Sequence, residues 1–289
     1  MLSLHTNNAA LSAQNALAKT QSNLSTSMTR LSTGYRINTA SDDAAGLQIA
    51  TRLKAQTSGM AMAMKNTQNA TSMLQTASGA FNQVTNMLIR MKDLATQAAD
   101  VSSSADDKTA MQAEFDALGK ELSNVMKNTT FGGTLLLGDG SASTKGTLSG
   151  AMTFQIGASK SETMAVSVTA SMTALNAALS SASKNFTGAT TGTELTSTAN
   201  ATIDLLKTAI DKVGTVNSTL GATINRLDHI NSNLSNISTN TESASGRIMD
   251  TDFATESASM TSNQMLLQAG TAMLKQSNSM SSLVMSLLQ

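Results

Sequence analysis

The chain contains no cysteine, no proline and no tryptophan, and only one tyrosine and six phenylalanines among its 289 residues. Without cysteine there is no disulfide framework and no thiolate to serve as nucleophile or metal ligand. Proline makes up about 5% of average sequences and costs about 3 kcal/mol inside a helix, so its absence leaves room for long unbroken helices. Aromatic side chains normally carry much of a globular core. Their scarcity argues against one thick core and for thin helix-to-helix seams of Ala, Leu, Met, Ile and Val. Charge is scarce too: 13% of residues are charged and the formal net charge is zero. That composition lacks the basic excess of a nucleic-acid binder and favours self-association.

Further absences bear on chemistry. No apolar run approaches the roughly 20 residues needed to cross a bilayer, so no membrane insertion is expected. The opening stretch MLSLHTNNAALSAQNALAKT has neither the basic n-region nor the apolar h-region of a cleaved secretory signal. His5 and His229 are far apart, with no His-Glu-x-x-His pattern. Asp42, Asp43, Asp250 and Asp252 read as helix-start and linker carboxylates, not as an acid–base or metal set. Gly132-Gly133 and Gly138-Asp139-Gly140 lack the lysine of a phosphate loop and read as turns. No catalytic, cofactor-binding or metal residue is assigned, and the chain is expected not to be an enzyme.

What the chain does have is helical periodicity at both ends. Leu17, Leu24 and Leu31 recur every seven residues, and Leu4 and Leu11 share that spacing one phase earlier. Near the other end Leu266, Ala269, Met273, Gln276, Met280, Leu283 and Leu287 step by three and four. Termini are where order is normally lost. Seam-forming residues concentrated there imply partners that complete them: the opposite end of the same chain and further copies of it. Nineteen methionines add packing that adapts to varied neighbours.

Between the ends, the spacing predicts a helix from 3 to about 33 closed by Gly34, then a polar turn, then a long helix to about 99. A third helix is predicted over about 108–128. The period then changes. Phe131–Gly138, Met152–Gly157 and Met164–Thr169 read as short strands, with a hairpin over 152–169. Residues 170–198, rich in Ala, Ser, Thr and Gly, read as a short variable surface segment. Helical spacing resumes from Ile203 to Ile248, and a break at Asp250-Thr-Asp-Phe precedes a terminal helix over 254–288. The expected fold is mainly α: an elongated rod of long antiparallel helices with a small β-hairpin region and a short insert. The expected domains are 1–42 with 254–289 for the terminal helices, 43–169 with 199–253 for the helical rod, and 170–198 for the insert.

Two stretches resemble a known family. The run RLSTGYRINTASDDAAGLQIA from Arg30 to Ala50 closely resembles the N-terminal signature of bacterial flagellins. NRLDHI from Asn225, SGRIMDTDFA from Ser245 and QMLLQAG from Gln264 resemble the C-terminal signature. The motifs bracket the chain in the family's order. Two departures are visible: Ser279-Met-Ser-Ser stands where the family often has a proline, and the outer region of large flagellins is reduced to 170–198. The second resembles the small, lateral type.

The resemblance implies a structural subunit of the flagellar filament; the polar, thinly striped terminal helices are themselves expected to fold as the subunit docks. Export through the flagellar type III apparatus follows, as does an extracellular filament. Implied partners are further copies of the chain, an export chaperone, the filament cap protein, hook-associated proteins and toll-like receptor 5. The polymerisation seam is assigned to Leu4, Leu11, Leu17, Leu24, Leu31, Leu266, Met273, Met280, Leu283 and Leu287. Arg90, Leu94 and Glu114, in and beyond the LIRMKDLA stretch, match the family's receptor-recognition surface and double as subunit contacts. A hook–filament junction protein, with related terminal helices, is the alternative reading.

Overall fold

A computed structural model describes residues 7–140, 145–188 and 191–287, with side chains described to Ser279. The described residues form seven α-helices and four short strands. The chain is mainly α, with a small antiparallel β region, as the periodicity predicts. It divides into two compact units, residues 1–57 with 239–289 and residues 58–238. The division falls within two long helices, α2 (Ala44–Ala98) and α6 (Ala199–Met249).

In the 58–238 unit the core follows a strict heptad. On α2 the buried positions include Met60, Ala63, Thr67, Ala70, Leu74, Ala77, Phe81, Val84, Leu88, Met91, Ala95 and Ala98, spaced three and four apart throughout. On α6 Leu206, Ala209, Val213, Val216, Leu220, Thr223 and Leu227 continue the same spacing. A 3.5-residue repeat keeps one stripe of each helix facing its partner, as in coiled coils. The pairing is antiparallel. Met60 and Ala63 pack with Leu234. Further along, Ser78 donates to Asn217 Oδ1 at 2.6 Å, and Asn217 donates to Asn82 at 3.0 Å.

Helix α3 (Ala105–Asn128) adds Phe115, Leu122 and Met126 to this core. It starts three residues earlier than its apolar spacing suggests, because Ser104 and Asp107 cap one another reciprocally. Each satisfies a backbone N–H that the first turn would otherwise leave unpaired. After α3 the stretch read as one strand from Phe131 is two. β1 (Thr130–Phe131) turns back on β2 (Thr134–Leu135) through Gly132 and Gly133, both at positive φ. A two-residue hairpin turn needs that conformation twice, and glycine adopts it at little steric cost. The second hairpin lies where the alternation predicts, β3 (Ala151–Gln155) against β4 (Thr163–Ser167), with Met152 paired to Val166 and Phe154 to Met164. Met152, Met164 and Val166 are buried.

The largest difference from the sequence reading lies in 170–198. It is not a surface segment. Helix α4 (Thr169–Ala182) buries Met172, Leu175 and Leu179, and the turn beyond it buries Phe186. The short helix α5 (Glu194–Ser197) buries Leu195. All of these belong to the main core. A buried polar knot ties the segment to α3. Gln112 Nε2 donates to Asp116 Oδ1 at 2.8 Å and to Glu194 Oε2 at 3.0 Å, while Gln112 Oε1 accepts from the Leu195 N–H at 2.7 Å. The Gly192 N–H donates to Asp116 and the Lys184 N–H to Glu194. Small residues hid this core: widely spaced large side chains suffice when Ala and Ser let the backbones approach.

Candidate assembly interface

The unit of 1–57 with 239–289 is built on α1 (Asn8–Thr33) and α7 (Phe253–Leu287), which pack antiparallel. At one end Asn7 Nδ2 donates to the Ser277 hydroxyl at 3.2 Å and also to its carbonyl. At the other end Arg30 meets Glu256 at 3.7 Å. Midway, a Cβ on Gly270 would overlap the δ-methyl of Leu17. Gly270 is the hole into which the Leu17 knob fits.

The inward positions again step by three and four. On α1 they are Ala10, Ala13, Leu17, Thr20, Leu24, Ser27 and Leu31; on α7 they are Glu256, Met260, Asn263, Leu267, Gly270, Leu274 and Ser277. Of these only Leu24 and Ser27 are fully buried. Leu17, Leu24 and Leu31 thus serve the pairing within the chain.

The C-terminal residues assigned to the seam lie on a different face. Leu266 is 55% exposed and Met273 67% exposed, one position out of register with the inward stripe. Met265 beside them is 60% exposed. Together with Ala269 they make a second, outward stripe on α7. On α1 Leu11 and Met28 also point away from α7. A three-and-four count fits either stripe, so spacing alone could not separate the two. Leu4 and the side chains of Met280, Leu283 and Leu287 lie outside the described residues.

A cross-linked turn closes one end of this unit. Gly34 caps α1 in the left-handed conformation. Its carbonyl accepts from the Thr251 N–H at 3.0 Å, and the Arg36 N–H reaches Met249 O at 2.6 Å. Tyr35 and Asp250 form a β-bridge, and the Arg36 guanidinium donates to Ile248 O at 2.9 Å. Ile37 is buried beneath.

The four aspartates near this turn are structural. Asp42 accepts from the Thr39 and Asn38 N–H groups and the Thr39 hydroxyl, which hold its carboxyl below the usual 3.8. Asp43 accepts from the Gly46 N–H at 2.8 Å, at the start of α2. Asp252 caps α7: the Thr255 hydroxyl, then the Ala254 and Thr255 N–H groups, lower its pKa. Asp250 is held in the bridge to Tyr35. An open groove of about 740 Å³ lies beside this turn, lined by Glu242, Ser243, Gly246, Arg247, Asp250 and Asp252 among others. Among the described residues no three or more His, Asp or Glu side chains converge as metal ligands, and no helix is long and apolar enough to cross a membrane.

The receptor-surface assignment divides. Arg90 on α2 and Glu114 on α3 do meet: Nη2 lies 2.7 Å from Oε1, and Nε donates to the same oxygen at 2.8 Å. Leu94 does not join them. It is 2% exposed and packs in the main core, because four residues along α2 from Arg90 the heptad has turned inward.

The sequence compares with known proteins as this geometry suggests. Residues 4–142 match the bacterial flagellin N-terminal helical region, and residues 203–288 match the C-terminal helical region. The chain belongs to the bacterial flagellin family. It is 32% identical to flagellin A of Vibrio cholerae over 385 aligned positions that cover all of both chains. It is 31% identical to polar flagellin C of Vibrio parahaemolyticus over the whole of both. Both alignments exceed the 289 residues of this chain, so they contain gaps opposite the longer relatives. A solved structure of a flagellar hook-associated protein from Vibrio parahaemolyticus shares the fold at a TM-score of 0.56 and 16% identity, covering 72% of this chain and all of that one. Family membership makes this flagellin a structural subunit of the bacterial flagellar filament, which polymerises with copies of itself.

Proposed function

We propose that polymerisation is carried by the outward stripe of α7, Met265, Leu266, Ala269 and Met273, together with Leu11 and Met28 of α1. Neighbouring copies complete in the filament what the α1–α7 pair leaves open. The observation that supports this most is burial: among the described side chains α7 has none fully buried and α1 has two. Ordering a residue costs about 1–2 kcal/mol of backbone entropy. An isolated helix gains most of its stability from tertiary packing, and two largely exposed helices whose seam leucines alternate with Thr, Ser, Asn and Gly obtain little of it from each other. Folding of the terminal helices is therefore coupled to docking, which confines assembly to ends that already present ordered subunits. A contact between different faces of identical copies does not close and yields a helical filament.

In this reading 1–42 with 254–289 forms the terminal-helix part of the subunit, and 43–169 with 199–253 the helical rod with its small β region. The subunit leaves the cell through the flagellar type III apparatus and reaches the extracellular filament. Its partners on the way are an export chaperone, the cap protein and hook-associated proteins. The Arg90–Glu114 pair is the surface offered to toll-like receptor 5. Seeded elongation tests the core of this account. Deleting Ala254–Gln289 stops growth while the 58–238 unit stays folded and soluble. Elongation at the full rate without that segment contradicts the account.

A further inference from the structure

The distribution of methionine over the structure is uneven. Of the nineteen methionines, the core holds several fully shielded, Met91, Met126 and Met172 at 0% exposure among them. Those that are exposed among the described side chains are Met28, Met62, Met265 and Met273. Three of these four belong to the terminal helices, and two lie on the outward stripe of α7, about 12 Å apart along the helix at its rise per residue. The chain has no cysteine, so thioethers are its only sulfur.

We infer that Met265 and Met273 are oxidation sites whose conversion to methionine sulfoxide blocks incorporation of the subunit into the filament. The inference rests on the reading of the outward stripe as the contact between copies. The oxidant is a peroxide. Its terminal oxygen is transferred to the thioether sulfur, the O–O bond breaks as the S–O bond forms, sulfur gives up two electrons, and hydrogen peroxide leaves as water. The product replaces a flexible apolar group with a polar one that must keep a hydrogen-bond partner. A subunit contact that buries it without a partner is weakened by about tenfold per site. The free subunit is then the vulnerable form. Once docked, the same thioethers are covered.

The test is a competition within one sample. Free full-length subunits are treated with limiting hydrogen peroxide until about half carry sulfoxide, then elongated from filament seeds. Peptide mass mapping compares the incorporated and the leftover pools. Sulfoxide at Met265 and Met273 is expected to be depleted about tenfold in the filament, while sulfoxide at Met62, equally exposed but outside the terminal helices, is evenly shared. Treating the leftover pool with methionine sulfoxide reductase restores its elongation. Equal sulfoxide at Met265 and Met273 in both pools overturns the inference. A second arm oxidises finished filaments. Protection of both methionines there leaves the contact reading standing even if the first arm fails. Oxidation as fast as in free subunits removes the contact reading itself.

Discussion

The α2–α6 seam and the α1–α7 seam share one period and differ in what fills it. Between residues 58 and 238 the inward positions are Leu74, Phe81, Val84, Leu88, Val213 and Leu220, at 1% exposure or less. In the terminal pair the inward positions set Leu17, Leu24, Leu31, Leu267 and Leu274 between Thr20, Ser27, Asn263, Gly270 and Ser277, and all but Leu24 and Ser27 stay partly exposed. Period decides which faces meet. Residue volume and polarity decide whether the meeting is sufficient by itself. A seam of large apolar side chains is finished within one chain; a seam in which leucines alternate with small and polar residues leaves its helices dependent on neighbours.

The comparison breaks most visibly at the dry seam. Phe81→Ala is expected to cost about 3–5 kcal/mol, the range for deleting a fully buried aromatic ring. Denaturant unfolding of the free subunit measures it, and a loss under 1 kcal/mol shows that the 58–238 core is not the stable part. Next comes the knot under 170–198. Gln112→Ala leaves two buried carboxylates and a backbone N–H without their amide, at about 1–3 kcal/mol, read from the same transition. A segment lying loose on the surface would not notice the change.

Leu24→Ala and Gly270→Leu sharpen the contrast from the other side. Both alter the α1–α7 seam, the first by removing a buried side chain and the second by filling the hole that Leu17 occupies. Because the free subunit does not hold this pair folded, each is expected to leave its unfolding within about 0.5 kcal/mol of the parent. Each also cuts the yield of seeded filament several-fold. Arg90→Ala sits lower on the scale. Its ion pair with Glu114 is half-exposed on both sides, and such pairs contribute up to about 1 kcal/mol.

Acid titration of the caps gives the smallest effect. Asp42 and Asp252 have pKa values lowered by hydrogen bonds in the folded chain. Their stabilisation is present at neutral pH and above the ordinary value of 3.8, and is lost as pH falls below it through the lowered values. Asp252→Asn keeps a capping side chain and flattens that acid limb in a pH series of helix content measured on the filament, where α7 is folded. An unchanged acid limb shows that Asp252 is not part of it.

Much of this fold is legible in the chain. Gly34 marks the end of α1, the Asp250–Phe253 break marks the start of α7, and the alternation at Met152 and Met164 marks a hairpin, because each rests on local stereochemistry. What stays hidden is set by tertiary partners. The core role of 170–198 depends on Leu175, Leu179 and Phe186 finding α3, and no period advertises it. Leu94 shares the i, i+4 relation with Arg90, yet a few tens of degrees of helix rotation put one in solvent and the other in the core. The two stripes of α7 differ by one residue, so a heptad count at Leu266 and Met273 finds a stripe without telling which one faces α1.

Amide hydrogen exchange on free subunit and filament tests the division of labour directly. Slow exchange is expected along the 58–238 stretches of α2 and α6 in both states, with protection of α1 and α7 arising only in the filament. Strong protection of α1 and α7 in the free subunit, equal to that around Leu74 and Leu220, would contradict it.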